Sequence, residues 1–341
     1  MHAAVGAVLF IASLTPAKGW FGVAQPITIH AKAPGETHLL LSDFNGRVLE
    51  AKGSTDVNGE ATFDLRDVYV QLQIPNTYVL YLVEKEKTPE EMLKEGVPAE
   101  LVEKVKAAGG SVGNLAPTKF IGTPLVIDVR QDRRRGAPPG PMVVRVQPLE
   151  YAVMQTAHGP VTLGFFYDVA PHTVNNFLSL AQDGYYDGLT FHRVVPGYVI
   201  QGGDPRGDGT GGPGYMIDAE FSSRPHEEGV LSMARTGDPG EGPGVMPRPE
   251  FANSAGSQFF VCLDYRATKQ LDGKYSCFSR VTGGMEAVRK IAAAPLADER
   301  AGRPKESQVI EKVEVLPVTA ESNPYRQIMR ARDVTLEKQQ K

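Results

Sequence analysis

Apolar and polar residues alternate over short spans in the first third of the chain. Ile27 and Ile29 alternate with Thr28 and His30, and Leu39-Leu40-Leu41 runs into Asp43-Phe44-Asn45-Gly46. Ala61, Phe63 and Leu65 alternate after Asp56-Val57-Asn58-Gly59. A period of two, punctuated by Asn/Asp-Gly pairs, predicts strands joined by turns. The apolar run Tyr78 to Val83 and the stretch Leu125 to Val129 are two further strands. Together they predict a small β-sandwich-like domain over residues 20–130. One helical insertion interrupts it, because Thr88-Pro89-Glu90-Glu91 supplies an N-cap, a first-turn proline and a capping-box glutamate. A second helical stretch, Ala99 to Ala108, ends at Gly109-Gly110.

Texture changes at Gln131 to Pro141, QDRRRGAPPGP, where charge gives way to proline and glycine. Such a segment has little to bury, so residues 131–148 are read as a linker. A second domain follows over 149–316. Tyr151 to Met154, a turn at His158-Gly159-Pro160 and Val161 to Tyr167 form a hairpin pattern. Val174, Phe177, Leu178 and Ala181 then recur at helical spacing behind Pro171 and stop at Gly184. Residues 317–341 are polar and charged and read as a tail.

Length supports this division, since 341 residues exceed what one core usually serves. Apolar content of 41% and charge of 22% fit a folded chain. A formal net charge of −4 excludes a globally basic nucleic-acid binder, and Arg133, Arg134 and Arg135 read as part of a solvated linker. No nucleic-acid partner is expected. Only Cys262 and Cys277 are present, which excludes a disulfide-rich scaffold and a cysteine zinc site. They are two buried thiols or a bridge between neighbouring strands. Ala3 to Leu14 is too short for a membrane span but has the length of a signal peptide's apolar region. On that reading residues 1–19 are a signal peptide and the protein is periplasmic or otherwise extracytoplasmic. The competing reading makes the stretch an opening strand and the protein cytoplasmic.

The most informative blocks stand in order along the second domain: FHRVVPGYVIQGGD from Phe191, GDGTGGPGY from Gly207, GVLSMAR from Gly229, NSAGSQFFV from Asn253 and LDGKYSCFSRV from Leu271. In this combination the chain resembles the cyclophilins, the peptidyl-prolyl cis/trans isomerases built as a closed eight-stranded antiparallel barrel capped by two helices. The resemblance places those helices at about Pro171–Gln182 and Gly284–Ala292. It implies a mainly β protein that isomerises X-Pro bonds in proline-containing polypeptides, with neither cofactor nor metal. Arg193 matches the family's catalytic arginine, Gln201 the residue that orients it and Phe260 the floor of the proline pocket. Tyr198, Val199, Leu271 and Tyr275 match pocket positions, while Gly209, Ala234, Arg235 and Gln258 match the groove for residues preceding proline. His192 matches a structural histidine, and Glu220, His226, Glu227 and Glu228 read as solvated loop residues and not as metal ligands.

The chemistry explains these residue types. An X-Pro bond isomerises slowly because resonance sets a barrier of about 18–20 kcal/mol. Twisting removes that resonance, so a catalyst need only bind the twisted amide better than either planar form. A permanently charged planar fork of donors suits this task. The chain also departs from familiar eukaryotic members. Gln270 stands where those have tryptophan, which should weaken binding of cyclosporin-like macrocycles, and Tyr275 stands where they have histidine. A long Gly/Pro-rich loop at 237–252 is read as exposed, shaping substrate access or serving as inert decoration. A proline-peptide binding module with little turnover is the alternative function, and the first domain is a candidate for docking to a partner.

Overall fold

The computed structural model describes residues 12–22, 25–84, 120–131, 142–242 and 244–326. The helices expected after Thr88 and Ala99 and the basic run at Arg133 lie outside them. The protein is mainly β. It divides into two compact units, one comprising Met1–Leu149 with Val318–Asn323 and the other Glu150–Pro317 with Pro324–Lys341.

The first unit contains β1 (Ser13–Pro16), β2 (Trp20–Phe21), β3 (Thr28–Asp43), β4 (Val48–Leu49), β5 (Asp56–Asp64), β6 (Asn76–Glu84), β7 (Ile121–Gln131) and β8 (Met142–Pro148), with a short helix α1 (Leu65–Val68). The strands form one antiparallel sheet in the order β1-β3-β6-β7-β8-β2, with β4 and β5 also paired to β3. β3 is the spine: Ile29 to Lys32 pair with β1, Thr37 to Asp43 with β6, and Thr28 to His38 with β5. Its alternating residues Ile29, Ala31, Leu39 and Leu41 pack with Leu80, Leu82, Leu125, Ile127, Val144 and Val146 in one buried core. Period-two patterning therefore translates directly into an inward face.

Four expectations need correction. Asp56-Val57-Asn58-Gly59 lies within β5 and is not a turn. There the register against β3 slips between Ala33 and Glu36, where Pro34 and Gly35 are the extra residues of β3, with Gly35 at φ 98°. Ser13–Pro16, placed in the signal peptide by sequence, pairs with β3 and buries Leu14 in the core. Residues 142–148, read as linker, form β8 against β7, because Val144 and Val146 alternate inward while the Arg145 guanidinium lies over the Trp20 ring. The polar tail is also packed at its start: Val318 and Tyr325 are fully buried. The Tyr325 hydroxyl accepts from Phe165 N at 3.1 Å and donates to Glu150 O at 2.6 Å, so an amphipathic ring satisfies its polar end inside the second unit.

In the second unit the path is β11 (Arg193–Val195), β12 (Val199–Gly202), β14 (Phe259–Cys262), β13 (Val230–Met233), β15 (Cys277–Gly283), β10 (Val161–Phe165), β9 (Glu150–Thr156) and β16 (Ile310–Pro317). The sheet curls until its two ends meet. Thr190 bridges to Val309, Phe191 N donates to Gln308 O at 2.8 Å, and Ile310 N donates to Leu189 O at 2.8 Å. This junction is one bridge and not a ladder. Two helices, α2 (Pro171–Gln182) and α3 (Met285–Ala292), flank the sheet in sequence positions close to those expected. The interior is aromatic: Phe177 stacks on Tyr186 at 4.8 Å and meets Phe259 and Phe278 at 5.7 and 5.3 Å.

Candidate active site

Strand register gathers the site. Arg193 pairs with Gln201, Gln201 with Phe260, Phe260 with Ser232 and Ser232 with Cys277. Residues directly opposite in an antiparallel ladder share a face, so five strands contribute one lateral row. The next residues along the strands, Val194, Ile200, Val261 and Phe259, belong to the buried interior. A single-residue slip would exchange the two faces.

Polar groups along one end of the row are linked. Arg193 donates from a terminal guanidinium nitrogen to Gln201 Oε1 at 3.2 Å, and Gln201 Nε2 donates to Gln258 Oε1 at 2.9 Å. Gln258 Nε2 in turn donates to the carbonyls of Gly209 and Gly211 at 3.0 and 2.8 Å. The Gly209 amide donates to Asp204, which holds this loop from below and also accepts from Arg206 N and Asp208 N. Arg193 is half-buried and, among the described residues, forms no ion pair. Its guanidinium is therefore held by a neutral amide and not by a carboxylate. That groove continues into a cavity of about 870 Å³ lined by Gln201, Gly209, Ala234, Arg235 and Gln258.

An apolar slot adjoins the guanidinium. Val199, Phe260, Cys262 and Leu271 form a buried cluster against which Tyr198, Ala234 and Tyr275 pack. Phe259 points to the interior and Phe260 to the slot, as strand alternation requires. Tyr275 meets Phe260 edge-on, with centroids 5.4 Å apart and planes at 81°. Burial raises the phenols of Tyr198 and Tyr275 above the ordinary tyrosine value, so both remain neutral. Gln270 is exposed at the slot's rim and donates to Ala267 O at 3.3 Å.

Behind Phe260 lies a polar core that sequence reading missed. His226, expected in a solvated loop, is fully buried. Its Nδ1 is 2.9 Å from Asp272 Oδ1 and its Nε2 is 2.9 Å from Ser232 Oγ, with Cys277 Sγ 3.4 Å away. The ring lies parallel to Phe260 at 6.2 Å. A Ser-His-Asp alignment suggests nucleophilic catalysis, but Ser232 is also fully buried and no substrate reaches it. Burial depresses the His226 imidazole and pushes the Cys277 thiol up to about 12, so neither is a charged reactive group at neutral pH. The triad supports the floor of the slot. A serine interrupting the apolar run Val230-Leu231-Ser232-Met233 was the available signal.

Other expectations also change. Glu220 is no free loop residue, since its carboxylate accepts from Thr173 N and Oγ at 2.8 Å at the start of α2. Glu227 and Glu228 pair with Arg280 and Arg289. Among the described residues no group of three or more His, Cys, Asp or Glu is placed to hold a metal. Cys262 and Cys277 are free and buried. Arg235, assigned by sequence to substrate contact, has its guanidinium inside the slot's wall, paired with Glu241 at 2.7 Å.

The second unit is similar to known proteins. Residues 151–315 match the family model described as cyclophilin type peptidyl-prolyl cis-trans isomerase/CLD. A peptidyl-prolyl cis-trans isomerase of Synechococcus elongatus is 46% identical over 129 residues, covering 38% of this chain and 78% of that protein. Peptidyl-prolyl cis-trans isomerase B of Bacillus subtilis is 42% identical over 134 residues, 39% of this chain and 82% of the relative. A crystal structure of a Cryptosporidium parvum cyclophilin type peptidyl-prolyl cis-trans isomerase, obtained in the presence of the dipeptide Ala-Pro, covers 49% of this chain and 99% of its own at 28% identity, with a TM-score of 0.43.

Proposed function

The chain belongs to the cyclophilin-type peptidyl-prolyl cis-trans isomerases, and from that premise we propose that Arg193, Gln201 and Phe260 carry the isomerisation of X-Pro bonds in polypeptides that fold after export. The proline ring of the substrate enters the slot floored by Phe260 and walled by Tyr198, Val199, Leu271 and Tyr275. The preceding residues run past Gly209, Ala234 and Gln258. Arg193 then donates to the proline's carbonyl oxygen and to the twisting nitrogen, whose lone pair becomes available as resonance is lost. No covalent bond to the enzyme forms or breaks. Gln201 fixes the guanidinium's orientation so that its donors are set before the bond rotates.

One observation carries this reading: a half-buried guanidinium that forms no ion pair among the described residues, held by Gln201 beside an apolar slot. A module that merely bound proline peptides would have no use for such a donor. Arg193→Ala should lower kcat by about 10²–10³-fold, as for loss of one preorganised donor, with a much smaller change in peptide binding. Arg193→Lys should also be impaired, because a point charge lacks the planar fork. Near-wild-type turnover in folded Arg193→Ala protein would overturn the assignment.

Export rests on the apolar stretch Ala3 to Leu14. Because Ser13–Pro16 is a strand of the first sheet, cleavage compatible with the fold falls before Ser13. Fractionation with N-terminal sequencing tests this, and recovery of the intact chain solely from the cytoplasm would refute it.

A further inference from the structure

The loop between Ala234 and Gln258 is rich in glycine and proline, yet it is built around buried charge. Asp238 is almost fully enclosed and accepts from Gly240 N at 2.8 Å, Arg248 N at 2.8 Å and the Arg248 guanidinium at 2.9 Å. Thr236 N donates to Ser254 Oγ at 2.8 Å across the loop's base. This frame places Glu241, whose amide donates to Asp238 O at 3.0 Å. Lys274 holds the same turn from outside, donating to Gly242 O at 2.7 Å with its ammonium 3.6 Å from Glu241.

Glu241 reaches Arg235 at 2.7 Å. The Arg235 side chain is only 1% exposed and meets three acceptors: Glu241, Lys274 O at 3.1 Å and Thr236 O at 3.1 Å. Only Glu241 is charged, so it alone neutralises a cation withdrawn from water. The guanidinium lies 4.4 Å from the centroid of the Tyr275 ring, and Tyr275 bears edge-on against Phe260. The contacts therefore run from the loop's carboxylate through a stacked guanidinium to a wall of the proline slot. We propose that Glu241 is a positioning residue for the isomerase: through Arg235 it fixes the Tyr275 ring, and the long loop thereby sets the fit of the substrate's proline and its neighbours. This rests on the slot assigned above. It also gives the loop a role in shaping access in place of inert decoration.

A double-mutant cycle on the full chain tests the inference. Wild type, Glu241→Gln, Tyr275→Ala and the double variant are assayed on a panel of Xaa-Pro peptides, with thermal midpoints measured alongside. Glu241→Gln should lower kcat/KM about three- to tenfold, mainly through KM and unequally across the panel, as expected for residues coupled through one contact chain. Added to Tyr275→Ala it should have no further effect. Arg235→Lys keeps the charge but not the plane over the ring, so it should reproduce the loss. It also keeps the cycle decisive should Glu241→Gln not fold. Additive effects of Glu241 and Tyr275, or a wild-type kcat/KM in Arg235→Lys, would overturn the proposal. Arg193→Ala in the same assay separates the two failures: if it abolishes turnover while Glu241→Gln is silent, only the positioning role falls.

Discussion

Outward-facing polar rows occur on both sheets, but they are completed differently. Along β3 and β5 of the first unit, Lys32 pairs with Glu60 at 2.7 Å and His30 bonds Thr62 at 3.0 Å, directly across the ladder. Each group finds a partner in the adjacent strand, and exposed pairs of this kind contribute little beyond solubility. Along β11 and β12 of the second unit, Arg193 faces a neutral amide and keeps donors in hand. Both units are curled antiparallel sheets over apolar cores, so architecture does not distinguish them. The distinction is a charge held by its neighbours without being neutralised by them, and that is where binding chemistry resides.

The contrast can be broken most sharply through the cores. Leu80 is fully buried in the first unit, and Leu80→Ala should cost about 2–5 kcal/mol of that unit's stability. Isomerase kcat/KM per folded molecule should remain unchanged, the reverse of the pattern expected for Arg193→Ala. Loss of turnover in Leu80→Ala at a temperature where the second unit stays folded would show that the first contributes to the chemistry. Tyr325→Phe removes a hydroxyl that serves Phe165 N and Glu150 O, and should cost the second unit about 1–3 kcal/mol by leaving those groups unpaired. Denaturation followed by probes in each unit checks this, and an equal shift in both would contradict it.

The smallest effect concerns pH. Burial lowers the imidazoles of His226 and His192, so the unfolded chain binds protons more readily than the folded one. Stability is therefore full above the unfolded histidine value, about 6.5, and declines as pH falls from there towards the folded values. The second unit should unfold at lower denaturant at pH 5.5 than at pH 7.5. A flat profile for the second unit would contradict the burial argument.

Sequence legibility followed the same division. Phe259 and Phe260 could be sent to opposite faces from strand alternation, and the helix Pro171–Gln182 from its proline and apolar spacing. Arg193 and Gln201 were recognisable only within their ordered blocks, because eight residues of sequence separation do not reveal a cross-strand pair. Failures arose where composition stood in for pairing. QDRRRGAPPGP looks like an interdomain spacer, yet β7 and β8 on either side of it are neighbours in one sheet. Asp56–Gly59 has turn chemistry, but it pairs with β3 opposite the bulge at Pro34 and Gly35. His226 was misread, and the pairing of Arg235 went unforeseen, because their partners Asp272 and Glu241 come from loops whose return paths no local pattern encodes.

The order in which the chain visits its two units bears on how it is made. Val318–Asn323 belongs to the first unit, with Val318 donating its amide to Leu149 O at 2.9 Å, whereas Pro324 onward belongs to the second. A ribosome delivers residues from one end only. The first unit therefore waits for Val318 until the entire second domain has been synthesised, and the second waits for Tyr325 a few residues later. Neither completes its core as an early product, so this catalyst of slow folding steps reaches its own native state only after the whole of the second domain has been made.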